Sequence, residues 1–129
     1  MTDTCVRRYI NLPAPPGKPP YSDAVLVGDT LYIAGRIGFD ASGRVPDDPG
    51  DEARILLDWV RAVLAEAGMT MQDLVQVQIF CPQLSLFEQF NAIYREYFDG
   101  ELPARAFIGS GPLLKGGRFQ FMGIAQRSE

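Results

Sequence analysis

Apolar and polar positions change period several times along this chain, and each change marks an element. VRRYI (6–10) alternates in the period of two expected of a strand, and the Pro-rich NLPAPPGKPPYSD (11–23) that follows excludes a helix. AVLVGDTLYIAG (24–35) then reads as two short β-type runs hinged at Gly28-Asp29, which predicts a hairpin. After a Gly, Pro and Asp-rich loop (36–50), DEARILLDWVRAVLAEAG (51–68) places apolar residues at 56, 60, 63 and 67, one face of a helix. Asp51 and Glu52 suit its first turn and Gly68 the position just past its end.

DLVQVQIFC (73–81) returns to the period of two, with Val75, Val77, Ile79 and Cys81 forming a wholly apolar face, and Pro82 stops it. Ser85-Leu86-Phe87-Glu88 has the form of a capping box and predicts the start of a second helix whose aromatic face is Phe87, Phe90, Tyr94 and Tyr97. DGELP ends that helix, and ARAFIGS and RFQFMGIAQ read as two final strands around GPLLKGG. The segment is not a phosphate loop, since no helix follows and no Ser or Thr follows Lys115. The predicted architecture is α+β, with two amphipathic helices packed on one face of a mixed sheet. Several strands carry apolar residues on both sides, as with Ile33 beside Ala34 and Phe121 beside Met122, so the second face calls for another copy of the chain.

Length and charge narrow the chemistry. The 129 residues suffice for a single domain, 1–129, around one core. A formal net charge of −4 without a basic stripe argues against nucleic acid as a partner. Cys5 and Cys81 lie far apart and there is no His, which removes the usual zinc sites and the Ser-His and Cys-His nucleophile pairs. The N-terminus lacks the apolar core of a signal peptide, and no apolar run approaches the roughly 20 residues that span a bilayer. A cytoplasmic protein without membrane contact is expected, and free thiols agree with a reducing compartment.

Three stretches in order carry a resemblance. PPYSDAVLVGDTLYIAGRIGFDASG, FEQFNAIYREYF and LPARAFIG followed by LLKGGRFQFMGIA are similar to the RidA/YjgF family, also known as endoribonuclease L-PSP or UK-type proteins, from about Pro20 to Ala125. The resemblance implies a chorismate-mutase-like fold and a homotrimer whose sheets form a central barrel. It also implies three clefts between subunits that hydrolyse enamine or imine intermediates to a keto acid and ammonia, with no metal or organic cofactor.

By the same resemblance Arg105 is the catalytic-site receptor for the substrate carboxylate, a role that suits a planar, permanently charged fork with two parallel donors. Tyr21 matches the tyrosine lining the cleft, and Asn91 and Tyr94 match positions on the second helix, where Asn91 can bond backbone or ligand and Tyr94 fits packing. Phe107 lies on the cleft strand. The chain departs from the pattern at Ala34, where a Ser is usual, at Arg36, where a Gln is usual, and on the last strand. There Met122 falls at the Glu held to position the attacking water and Gln120 at the earlier Glu, and neither residue titrates. Glu101 or Asp23 of a neighbouring subunit is a candidate substitute. Arg36 is either a second anion contact or a solvated loop charge.

Three functions follow, in order. The first is a RidA-like hydrolase acting on a small carboxylate metabolite bound by Tyr21, Ala34, Arg36, Asn91, Phe107 and Met122 around Arg105. The second is a sensor or carrier that keeps the cleft without the chemistry. The third, an endoribonuclease, suffers from the acidic charge and the lack of an acid/base pair.

Overall fold

The structure, a computed structural model, describes residues 6–13 and 19–128. Six strands form one mixed sheet: β1 (Arg7–Ile10), β2 (Ala24–Val27), β3 (Thr30–Ile37), β4 (Leu74–Cys81), β5 (Ala104–Gly109) and β6 (Gln120–Gln126). Two helices, α1 (Pro49–Glu66) and α2 (Phe87–Arg95), pack on one face of it. The α+β expectation holds. No helix among the described residues is long and apolar enough to cross a membrane.

Local chemistry sets most boundaries. At the predicted hairpin Gly28 takes φ +58°, the left-handed geometry that joining Val27 to Thr30 in two residues requires. Asp48 caps α1 by accepting from the Asp51 amide at 3.2 Å, Pro49 occupies the first turn, and Gly68 sits just beyond the end with φ +73°. The face predicted from spacing, Leu56, Val60, Val63 and Ala67, is buried against the sheet.

Two local expectations are corrected. Val75 does not join the buried face of β4: the pairing with β6 shifts register between Leu74 and Gln76, so Leu74 is buried and Val75 is 48% exposed. Ser85 does not cap α2. It lies in a single 3-10 turn, Leu84–Leu86, where its hydroxyl accepts from the Gln83 amide group at 3.1 Å, and α2 starts at Phe87 without a side-chain cap. The reciprocal capping arrangement occurs instead at Thr70, whose hydroxyl accepts from the Gln72 amide while Asp73 accepts from Thr70 N at 2.9 Å.

The last two strands are not neighbours either. The sheet order is β1-β2-β3-β6-β4-β5, so β6 inserts between β3 and β4 while β5 runs parallel to β4 at the edge. A long-range contact accompanies this order. Glu52, on the first turn of α1 and fully buried, accepts from the amides of Arg118 at 2.6 Å and Phe119 at 3.3 Å, and Arg118 Nε lies 3.3 Å from its other oxygen. The Arg118 guanidinium also donates to the carbonyls of Pro46 and Asp47, both at 2.8 Å. The chain entering β6 is thereby tied to the start of α1, with Phe119 and Phe121 pressed into the core.

The two faces of the sheet differ in kind. One cross-strand row, Ile10, Ala24, Ile33, Gly123, Val77 and Arg105, faces the helices, and its members up to Val77 are apolar or Gly. The next row, Tyr9, Val25, Tyr32, Ile124 and Gln76, faces away, with Tyr9 and Tyr32 60% and 49% exposed.

Glu52→Ala is expected to destabilise the fold by about 3 kcal/mol in urea titrations, because the Arg118 and Phe119 amides lose their acceptor and the Arg118 guanidinium its ion-pair partner. Burial raises the Glu52 pKa above its ordinary 4.5, opposed by the Arg118 and Phe119 amides and the Arg118 charge. The native state therefore binds this proton more tightly than the unfolded chain does, so the contribution is fully present below pH 4.5 and lost as pH rises through the native pKa. Glu52→Gln should remove that component, and identical pH profiles for the two proteins would contradict the assignment.

Candidate functional site

Arg105 ends the helix-facing row of the sheet. Because β5 is the edge strand, the apolar row runs out at this position, and the side chain meets α2 at the margin of the core rather than inside it. Its guanidinium lies 4.7 Å from the centre of the Tyr94 ring, 5.4 Å from Phe107 and 5.8 Å from Phe87. These rings form a floor for a cation, and Phe87 and Phe107 meet edge-on at 5.0 Å between centroids. Arg105 Nη2 donates to Asn91 Oδ1 at 2.7 Å, and Asn91 is itself buried.

No carboxylate among the described residues forms an ion pair with Arg105. Burial lowers its pKa below the ordinary guanidinium value, with Tyr94 opposing and the like charge of Arg95 assisting, yet a guanidinium stays charged at any physiological pH. The result is a half-buried cation, oriented by a neutral amide and aromatic faces, with donors unspent. It opens into a cleft of about 470 Å³ lined by Phe87, Glu88, Asn91, Arg95, Leu102 and Pro103. Burial pushes the Tyr94 phenol up to about 12, so it stays neutral, and its hydroxyl has no hydrogen-bond partner among the described residues.

The other sequence-predicted residues gather elsewhere within one chain. Arg36 pairs in register with Phe121, and its guanidinium is stacked 4.2 Å from the centre of Phe39 and 4.6 Å from Trp59. Asp23 lies 4.0 Å away, and burial lowers the Arg36 pKa while Asp23 and Tyr21 raise it. Arg36 is thus enclosed rather than solvated, with the half-exposed Tyr21 close by. Asp23 is committed to this corner, where its carboxylate accepts from Leu12 N at 2.9 Å. Three strand spacings of about 4.8 Å separate β3 from β5, and Arg36 is in register with Phe107, two residues along β5 from Arg105, so the two arginines are well apart on the sheet.

Met122 pairs with Gln78 and, through β4, with Ala106, so it points to the face opposite Arg105 and is 45% exposed. Gln120 shares that face, its amide reaching over Gly35 beside Ala34, where the β3–β6 register breaks. One chain therefore joins Arg105, Asn91 and Phe107, joins Arg36 with Tyr21 apart from them, leaves Met122 on the uncovered face and puts Ala34 in the irregular stretch of β3 between Ile33 and Arg36.

The cleft also contains residues that the sequence reading passed over. The motif points to Glu88 as part of a helix cap, yet Glu88, Asn91 and Arg95 lie along one side of α2 at helical spacing and all line the cleft. That spacing was visible in the sequence; that this side faced Arg105 was not. Among the described residues no group of His, Cys, Asp or Glu gathers as a metal site.

Comparison with known proteins extends the picture. A family model described as Endoribonuclease L-PSP matches residues 12–126. A 2-iminobutanoate/2-iminopropanoate deaminase of Capra hircus is 38% identical over 123 residues, which cover 93% of this chain and 90% of that protein. The crystal structure of YyfA from Yersinia pestis, described as a conserved Rid family protein, superposes with a TM-score of 0.87 at 32% identity, covering 95% of this chain and all of that one. E. coli TdcF with bound serine superposes with a TM-score of 0.85 at 28% identity, covering 94% of this chain and 100% of that one.

Tyr94→Phe deletes a buried hydroxyl that has no partner, so it is expected to leave stability unchanged or to raise it by up to about 1 kcal/mol. A urea midpoint shifted downward by more than that amount would mean that the hydroxyl is bonded in solution.

Proposed function

The chain belongs to the endoribonuclease L-PSP family, the Rid proteins, and on that premise we propose that it binds a small carboxylate metabolite on Arg105 and hydrolyses enamine or imine intermediates there. The observation that carries this reading is the Arg105 guanidinium: held by Asn91 and three rings, facing an open cleft, and unpaired with any carboxylate among the described residues. The names of relatives supply the reaction class, and the serine bound to TdcF supports a cleft that accepts an amino-acid-sized ligand.

Imine hydrolysis asks little of a protein. Water adds to the C=N carbon, a proton passes to nitrogen, and collapse of the adduct releases ammonia and leaves a keto acid. Fixing the carboxylate beside the imine carbon contributes orientation, and a partly dry cationic site stabilises negative charge that develops nearby. No metal or organic cofactor is part of this proposal.

The assembly belongs to the same reading. A homotrimer would cover the Tyr9–Tyr32–Ile124 row and pack sheets into a barrel, and a neighbouring copy would bring Tyr21, Ala34, Arg36 or Met122 toward Arg105. A cytoplasmic setting fits the free, buried Cys81 thiol. A second reading, a non-catalytic sensor of carboxylate metabolites, is favoured by one observation: the exposed side of β6 offers Gln120 and Met122 and no carboxylate. RNA cleavage ranks last, because Arg44, Arg54, Arg61 and Arg118 are each paired with an acidic side chain and present no basic path.

Ammonia release from freshly generated 2-iminobutanoate or 2-iminopropanoate should exceed the blank, and Arg105→Ala should reduce it at least about 30-fold, equivalent to about 2 kcal/mol. Arg105-dependent binding without turnover would select the sensor reading, and indifference of both binding and turnover to Arg105 would end both. In sedimentation velocity the protein should run as a trimer, and Tyr32→Arg should shift it toward monomer; a monomeric wild type would remove the intersubunit cleft.

A further inference from the structure

We infer that Glu88 is a specificity-determining residue of the Arg105 cleft: its carboxylate receives the cationic nitrogen of a ligand whose carboxylate sits on Arg105, so the site selects 2-amino and 2-imino acid zwitterions over the corresponding keto acids. The inference rests on the carboxylate-receptor reading of Arg105 and adds a second, oppositely charged contact to it.

Glu88 is the one carboxylate among the described residues that lines the cleft. It lies on the first turn of α2, three residues before Asn91, which holds Arg105, so Glu88 and Asn91 share one side of the helix. Its carboxylate is uncommitted: the capping bond to Ser85 does not form, and no hydrogen bond or ion pair to another described residue engages it. Arg105 is uncommitted in the same sense. Two opposite charges thus face one cleft without closing on each other to ion-pair distance, because Asn91 and the rings of Tyr94 and Phe107 fix the guanidinium in place.

Such a gap is complementary to a molecule that carries both charges. Arg95 sets the direction. It lines the same cleft seven residues after Glu88, about two helical turns or 10 Å along α2, and its charge adds to that of Arg105. The cleft therefore runs from negative at Glu88 to positive at Arg105 and Arg95, and a zwitterion has one favourable orientation in it. A keto acid satisfies only the positive end and places a carbonyl oxygen toward Glu88. Discrimination of this kind comes from a repulsive contact as much as from an attractive one.

Calorimetric titration of the full-length protein with 2-aminobutanoate and with 2-oxobutanoate tests this. Glu88→Gln should weaken 2-aminobutanoate about fivefold to tenfold and leave 2-oxobutanoate unchanged or tighter, and Glu88→Lys should invert the preference. Glu88 is exposed, so Glu88→Gln should stay close to wild-type thermal unfolding, and Glu88→Lys should remain folded with a small loss because a cation in the first turn of α2 opposes the helix dipole. If Arg105→Ala loses both ligands while Glu88→Gln alters neither, the role of Glu88 is refuted and the receptor reading stands. If Arg105→Ala changes nothing, the receptor reading fails and this inference with it.

Discussion

A buried carboxylate governs the layout of this protein. Glu52 takes two backbone amides and a guanidinium at the point where the chain enters β6, and so joins the first turn of α1 to a strand far away in sequence. With that entry fixed, β6 runs between β3 and β4, and β5 is left at the edge beside β4. A carboxylate removed from water needs compensation: here one oxygen accepts both amides and the other is met by the Arg118 charge without a hydrogen bond, which ties this contact to one arrangement of loop and helix.

The position of Arg105 follows from that strand order. A residue in the helix-facing row of an inner strand lies under the helices and must be apolar or fully paired. The same row position on an edge strand reaches the margin, where a guanidinium can keep its stem among Tyr94 and Phe107 and its head toward a cleft. The chemistry available at this margin is recognition of charge. Asn91 orients the fork without neutralising it, which an acidic residue in its place would do. Arg36 is the contrasting case within one chain: its guanidinium lies over Phe39 and Trp59 and 4.0 Å from Asp23, so it has a carboxylate neighbour that Arg105 lacks.

The uncovered face completes the physical account. Tyr9, Tyr32 and Met122 remain exposed there because two helices can cover only one side of a six-stranded sheet. Residues that the family resemblance assigns to one cleft stand on both faces and at both ends of the sheet in a single chain.

How much of this was legible in the sequence depends on how local each determinant is. Periodicity marked both helices and every described strand, the Gly28 turn and the buried face of α1, because each depends on residues within one turn or one strand. Sequence matched Arg105 and Asn91 to a family site through short motifs. It misplaced Val75, since a register shift arises between strands and leaves no mark in either one, and it assigned Ser85 and Glu88 to a cap because the motif is necessary for that geometry and not sufficient. Only the tertiary structure decided that β6 lies inside the sheet, that Arg36 and Arg105 are apart, and that Glu88 shares a cleft with Arg105. These are contacts between segments distant along the chain, selected by burial of Glu52, Phe119 and Phe121, and no local pattern records the partner that each one chooses.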